Sequence, residues 1–147
     1  MRRSGPLARR TPLRNGAWLR RADSRTGFPP SVKRAVRLRS GLGDIHLAAC
    51  EACGCWLGRY GGQVQHIRAR GMGGSRLLDG ITNAVLLCGT PQSGCHGACE
   101  RRDARYRAMG FWLYSSDEPQ PVMLHGEQGG VTVWLSADGK YVTERCA

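Results

Sequence analysis

Apolar positions fall into short, separated runs along this chain. Residues 1 to about 30 contain Pro6, Pro12, Pro29 and Pro30, with only a loose repetition of Pro6-Leu7, Pro12-Leu13 and Trp18-Leu19. Such a segment buries too little apolar surface to offset the entropy of ordering it, and it reads as a disordered arm in isolation. From Ser31, taken as an N-cap, the positions Val32, Ala35, Val36 and Leu38 predict a short helix ending near Gly41 and Gly43. Residues 63–67 read as a strand, followed by a loop rich in glycine (Gly71, Gly73, Gly74, Gly80). Asn83 then opens Ala84-Val85-Leu86-Leu87-Cys88, an apolar run of strand length, and Cys95-His96 begins a charged helix that Gly110 would terminate. Further strand patterns lie at 111–114, 122–124, 131–135 and 141–143, and the Asp138-Gly139 pair predicts a hairpin turn between the last two. The expectation is an α+β protein with a basic arm over 1–30, a body over 31–110 and a small antiparallel β appendage over 111–147.

A chain of 147 residues suits one compact domain, since such domains commonly run to roughly 100 to 150 residues. Charge changes the picture more. Residues 1–40 carry twelve Lys and Arg against Asp23 alone, so they account for the whole net charge of +11 and the remainder is neutral. A cationic arm on a neutral body points to a polyanionic partner, with nucleic acid foremost, although such arms also serve solubility alone. No apolar run is long enough to span a membrane, and the charged start has no apolar core of signal-peptide type, so a cytoplasmic location without membrane contact is expected.

Seven cysteines in a chain read as cytoplasmic argue for metal ligation over disulfides, because cytosolic thiols are held reduced. Cys50 and Cys53 form a C-x2-C pair, and Cys88 and Cys95 supply a second pair whose wider spacing must loop out around Gly89 and Gly94. Four thiolates in two pairs suit tetrahedral structural zinc. Cys55 and Cys99 compete for these places. Cys53-Gly54-Cys55 makes a cramped chelate, and four buried free thiols are the alternative to any metal.

The residues Gln65-His66-Ile67, Arg70-Gly71-Met72-Gly73-Gly74, Asn83, Leu87-Cys88-Gly89 and Gly94-Cys95-His96-Gly97 resemble the His-Asn-His (HNH) endonuclease family, especially small enzymes encoded by phages and prophages of actinobacteria. The resemblance covers residues 50–110 closely. It implies a ββα-metal core (HNH or His-Me finger) around one divalent cation, with a hairpin carrying His66 and Asn83 and a helix carrying His96. By that resemblance His66 is the general base, oriented by a loop carbonyl from residues 68–82, and His96 is a metal ligand. Asn83 either ligates through its amide oxygen or pins the loop. Hydrolysis of a phosphodiester fits these residue types: a neutral imidazole accepts a proton at neutral pH, and a cation stabilises charge on the phosphate.

Glu100, four residues after His96, shares its helix face and is a possible further ligand, or else a solvated carboxylate paired with Arg101 or Arg102. Gln65 stands where relatives carry an acidic residue or a second His. Its amide oxygen can coordinate a hard cation without adding charge, so metal affinity should fall, and the alternatives are weak metal binding, recruitment of Glu100 or Asp79, or lost activity. Arg68, Arg70 and Arg76 flank the glycine loop as candidate phosphate contacts. Trp112 and Trp134 are assigned to the core and Met72 to capping the loop, while His46 and His125 receive no role. The expected protein is a DNA endonuclease using Mg2+, Mn2+ or a similar cation beside a structural Zn2+, acting on double-stranded DNA as a monomer or homodimer in the cytoplasm, that of the host bacterium if phage encoded. The alternatives are a noncatalytic zinc-ribbon DNA-binding protein that lost activity at Gln65, and a phage packaging accessory that contacts terminase or portal proteins.

Overall fold

The computed structural model of the chain describes residues 27–71, 76–125 and 130–144. Most of the expected arm, the loop residues Met72, Gly73 and Gly74, and Cys146 lie outside the described residues. The first helix, α1 (Pro30–Ser40), begins ahead of the expected Ser31 cap. Pro29 takes the cap position and Pro30 the first turn, where a missing N–H costs nothing and the ring presets the backbone. Phe28 and Pro30, assigned to the arm on sequence, therefore belong to the folded body, Phe28 being fully enclosed. Gly41 ends the helix by donating its N–H to Arg37 O at 3.0 Å.

Strands β1 (Gln63–His66) and β2 (Ala84–Leu87) form an antiparallel hairpin with Gln65 opposite Val85 and His66 opposite Ala84. All four residues of β2 are completely buried because the hairpin lies between two layers. Ala84 and Leu86 pack with Phe28, Val36 and Ala48 on the α1 side, whereas Val85 and Leu87 join Cys50, Ile67 and Phe111 on the other. Alternate residues of a strand face opposite ways, so a strand covered on both sides needs an uninterrupted apolar run. Burying a leucine completely contributes roughly 2 to 3 kcal/mol.

The expected single helix from Cys95 to Gly110 is two: α2 (Gly94–Glu100) and α3 (Ala104–Ala108). Asp103 breaks it. Its carboxylate accepts the Arg105 N–H at 2.9 Å, capping α3, and this local bond competes with helix continuation. Gly110, at φ +80°, does terminate α3.

Residues 111–114 are not a strand; only Leu113 bridges to Arg68, its N–H reaching Ile67 O at 2.7 Å. The remaining tail is the expected small antiparallel sheet, β3 (Val122–Leu124), β4 (Val131–Leu135) and β5 (Tyr141–Val142), in that spatial order. It shares the main apolar cluster: Phe111, Val122 and Val133 pack in one group with Cys50 and Val85. The protein is thus α+β with two small antiparallel sheets. No helix among the described residues is long and apolar enough to cross a membrane.

A polar knot ties these layers. Arg39, at the end of α1, donates from Nε to Glu51 Oε1 at 2.9 Å, and from Nη2 to Glu51 Oε2 at 3.1 Å and Ala84 O at 2.6 Å. Glu51 also accepts the Leu86 N–H and the Tyr141 hydroxyl, each at 2.6 Å. Burial, then the Glu51 charge, holds the Tyr141 phenol above its ordinary value, so it remains a donor. One carboxylate thereby joins α1, the cysteine turn, β2 and β5.

Candidate functional site

The cysteine cluster grows from two tight turns. In the first, Gly54 N–H bonds Cys50 O and Cys50 N–H bonds Cys55 O, both at 2.8 Å, which folds Cys50 and Cys53 toward one point. In the second, Gly89 (φ +87°) and Gly94 (φ +63°) bend the loop between Cys88 and Cys95. A Cβ at Gly94 would lie 2.8 Å from Cys88 O, so only glycine fits there. The Sγ atoms of Cys50, Cys53, Cys88 and Cys95 all lie within 4.8 Å of one another, a quartet that could hold a metal such as zinc. Cys53 Sγ and Cys88 Sγ are 3.8 Å apart, which is close to the edge of a tetrahedron with zinc–sulfur bonds of about 2.3 Å.

The surroundings favour thiolate at Cys50. Cys95 Sγ accepts the buried Tyr106 hydroxyl at 3.2 Å, and Cys50 Sγ accepts the Cys88 N–H at 3.3 Å. The adjacent Cys95 thiol, aided by backbone N–H groups, pulls the Cys50 thiol down to about 4, while Cys95 is pushed up by the same contact. Of the two rivals, Cys55 is exposed and Cys99 is buried, and burial first of all pushes the Cys99 thiol up to about 12. The six described cysteines carry no disulfide.

At the loop end of the hairpin is a cleft of about 510 Å³ whose lining includes Gln65, His66, Arg70, Glu100, Arg102 and Tyr114. Register places Gln65 on the face of Val85, toward α2, and His66 on the face of Ala84, toward α1. On that face Phe28 stacks flat on the imidazole, the ring centroids 3.8 Å apart and the planes 18° from parallel. His66 Nε2 lies 2.9 Å from Asp79 Oδ1. The group that orients the ring in this structure is therefore a carboxylate, where the resemblance implied a loop carbonyl. Burial lowers the His66 value below its ordinary one, and Asp79 opposes that shift.

Gln65 is buried, and its Oε1 has no hydrogen-bond partner among the described residues; the same holds for Nδ1 of the buried His96. His96 Nε2 lies 3.6 Å from Glu100 Oε1, one turn along α2. A buried oxygen and a buried ring nitrogen without partners are costly. Gln65, His66 and Glu100 share one cleft, whereas His96 is not in its lining and meets Glu100 through Nε2.

Asn83 is engaged on both ends of its amide. Its Oδ1 accepts the Arg68 N–H at 2.8 Å, and its Nδ2 donates to Arg68 O at 3.1 Å and Leu78 O at 2.9 Å. Of the two roles the resemblance left open, this geometry has the loop-pinning one. The three sequence-selected arginines separate: Arg68 donates to Ser115 O, Arg70 Nε lies 3.2 Å from Asp79 Oδ1, and Arg76 sits exposed on a 3₁₀ turn, Arg76–Leu78. Trp112 is in the core as expected.

Two contacts of His66 were not read from the sequence, Asp79 at Nε2 and the Phe28 stack. Asp79 carried a signal, being the sole acidic residue between His66 and Asn83. Phe28 carried none, since its partner lies 38 positions away. Comparison with known proteins finds no matching family model, no matching curated protein and no matching solved structure.

Proposed function

We propose that this chain is a metal-dependent DNA endonuclease of the HNH type, phage or prophage encoded, acting on double-stranded DNA in the bacterial cytoplasm. One observation carries the reading: His66, with Asp79 at its Nε2, shares a cleft with Glu100 and with the buried Gln65, whose Oε1 lacks a partner among the described residues. Gln65, His96 and Glu100 are the side chains that would hold Mg2+ or Mn2+. When bound there, the cation supplies a Lewis acid for the scissile phosphate and its leaving oxygen.

The remaining chemistry belongs to the chain. His66 takes the proton of the attacking water, a role suited to a neutral imidazole at neutral pH. Asp79 fixes its ring and stabilises the imidazolium that forms, as a carboxylate behind a catalytic histidine does in hydrolases generally. Asn83 holds the strand-connecting loop that delivers Asp79 and Arg70. The cysteine quartet, with zinc, clamps the start of α2 to the Cys50 turn, which sets where His96 and Glu100 stand. The basic residues of the arm precede Phe28, which stacks on His66, and their charge would draw a polyanion to the protein. Phage terminase or portal proteins are partners this reading allows.

The test is conversion of supercoiled plasmid to nicked or linear DNA with Mg2+ or Mn2+, set against a chelator control. His66→Ala should lower the rate by roughly 10²- to 10⁴-fold with DNA binding and zinc content unchanged. Undiminished cleavage by that variant would remove the reading.

A further inference from the structure

Two arginines line the cleft, and they differ in what holds them. Arg70 is neutralised by Asp79 at 3.2 Å. Arg102 has no carboxylate paired with it among the described residues, since Asp103 and Asp117 are taken by Arg105 and Arg107. Its guanidinium lies over the ring of Tyr114, 5.4 Å from the centroid. Tyr114 is itself fixed, its N–H bonded to Asp117 at 2.9 Å and its ring set edge-on to Trp112 at 5.4 Å. A guanidinium held by a cation–π contact and not by a carboxylate keeps N–H groups for two-point contact with a phosphate.

The backbone at this residue points the same way. Arg102 sits at φ +58°, a conformation in which a side chain is strained. It ends α2 in a Schellman motif, with Arg102 N–H bonded to Cys99 O at 2.9 Å and Asp103 N–H to Ala98 O at 3.0 Å. Glycine is the residue ordinarily favoured there. A long cation occupies that place instead, at the mouth of the cleft that holds His66, with Glu100 as the carboxylate of the lining.

We propose that Arg102, laid over Tyr114, binds a backbone phosphate of the nucleic acid strand in the cleft. This rests on the nuclease reading for the identity of the ligand. It names a contact that Arg68 and Arg70, held by Ser115 O and Asp79, are poorly placed to make.

The test measures fluorescence anisotropy of a labelled short DNA duplex with the full-length protein, over a salt series, in buffer free of magnesium and manganese. Arg102→Asn removes the charge and tolerates the left-handed backbone, while Arg102→Lys restores charge without the planar guanidinium. Arg59→Asn is the control, because Arg59 is an exposed arginine over the Tyr60 ring and does not line the cleft. Arg102→Asn should weaken binding roughly tenfold and reduce the slope of log affinity against log salt by about one. Arg102→Lys should recover the slope, and Arg59→Asn should stay within about twofold of the parent chain. An Arg102→Asn effect no larger than that of Arg59→Asn, or a loss of affinity with an unchanged slope, would overturn the proposal, as would failure of the unaltered chain to bind. Should Arg102→Asn lose its zinc or its cooperative unfolding, Arg102→Gly, the residue this backbone favours, replaces it under the same criteria. A chain that binds through Arg102 yet leaves plasmid intact when Mg2+ is added refutes the nuclease reading and not this contact; cleavage with no Arg102 effect refutes the contact alone.

Discussion

Arg39 and Glu51 form an ion pair from which water is almost wholly excluded, each side chain being 1% exposed. Such a pair contributes little net stability by itself, because desolvation offsets most of the attraction, but stranding one member leaves a buried charge uncompensated. Glu51→Gln or Arg39→Met should each cost about 3 to 5 kcal/mol, read as a lower denaturant midpoint of the zinc-loaded protein. The double variant should cost far less than the sum of the two, a coupling that a double-mutant cycle reports. Additive losses would mean that the pair acts only through its separate backbone contacts.

The cysteine quartet makes a stoichiometric statement. One zinc ion per chain should be found by elemental analysis, and Cys88→Ser should remove it along with cooperative thermal unfolding, since a metal that binds only the folded state contributes its binding free energy to folding. Cys55→Ser, at an exposed thiol outside the quartet, should leave the metal content unchanged. Metal loss in the Cys55 variant would move the ligand set.

Asn83 closes three backbone contacts at once. Asn83→Ala leaves the Arg68 N–H, Arg68 O and Leu78 O without this partner, which should destabilise the protein by roughly 1 to 3 kcal/mol and release the loop that presents Asp79 to His66. Amide hydrogen exchange in residues 67–82 should quicken while exchange in α1 is unaffected. Unaltered loop protection would show that the amide is incidental to the loop.

Gln65 offers a neutral oxygen where a carboxylate would bind a cation more strongly. Gln65→Glu should tighten Mn2+ binding by roughly tenfold, about 1.4 kcal/mol, followed by the spin-resonance signal of free Mn2+ so that no turnover is needed. In the absence of cation the same change should lower stability, because residue 65 is 8% exposed and the new charge lacks a partner. Equal Mn2+ affinity in the two proteins would place the cation elsewhere.

The features legible along the chain are local. The apolar run of β2, the cysteine pairs with their glycine-bent loop, the Asp138-Gly139 hairpin and the helix stop at Gly110 follow from neighbours a few positions apart, where side-chain periodicity and backbone preference decide the outcome. The split between α2 and α3 was written locally too, in the cap at Asp103, although it was masked by a charged pattern that continues across it. Tertiary structure alone decided the rest: Phe28 on His66, Asp79 at Nε2, Glu51 gathering Arg39, Leu86 and Tyr141, and Arg102 over Tyr114. Those contacts depend on how the layers stack and on which buried polar group finds a partner. That choice depends on distances across the fold, which a linear pattern of residues does not contain.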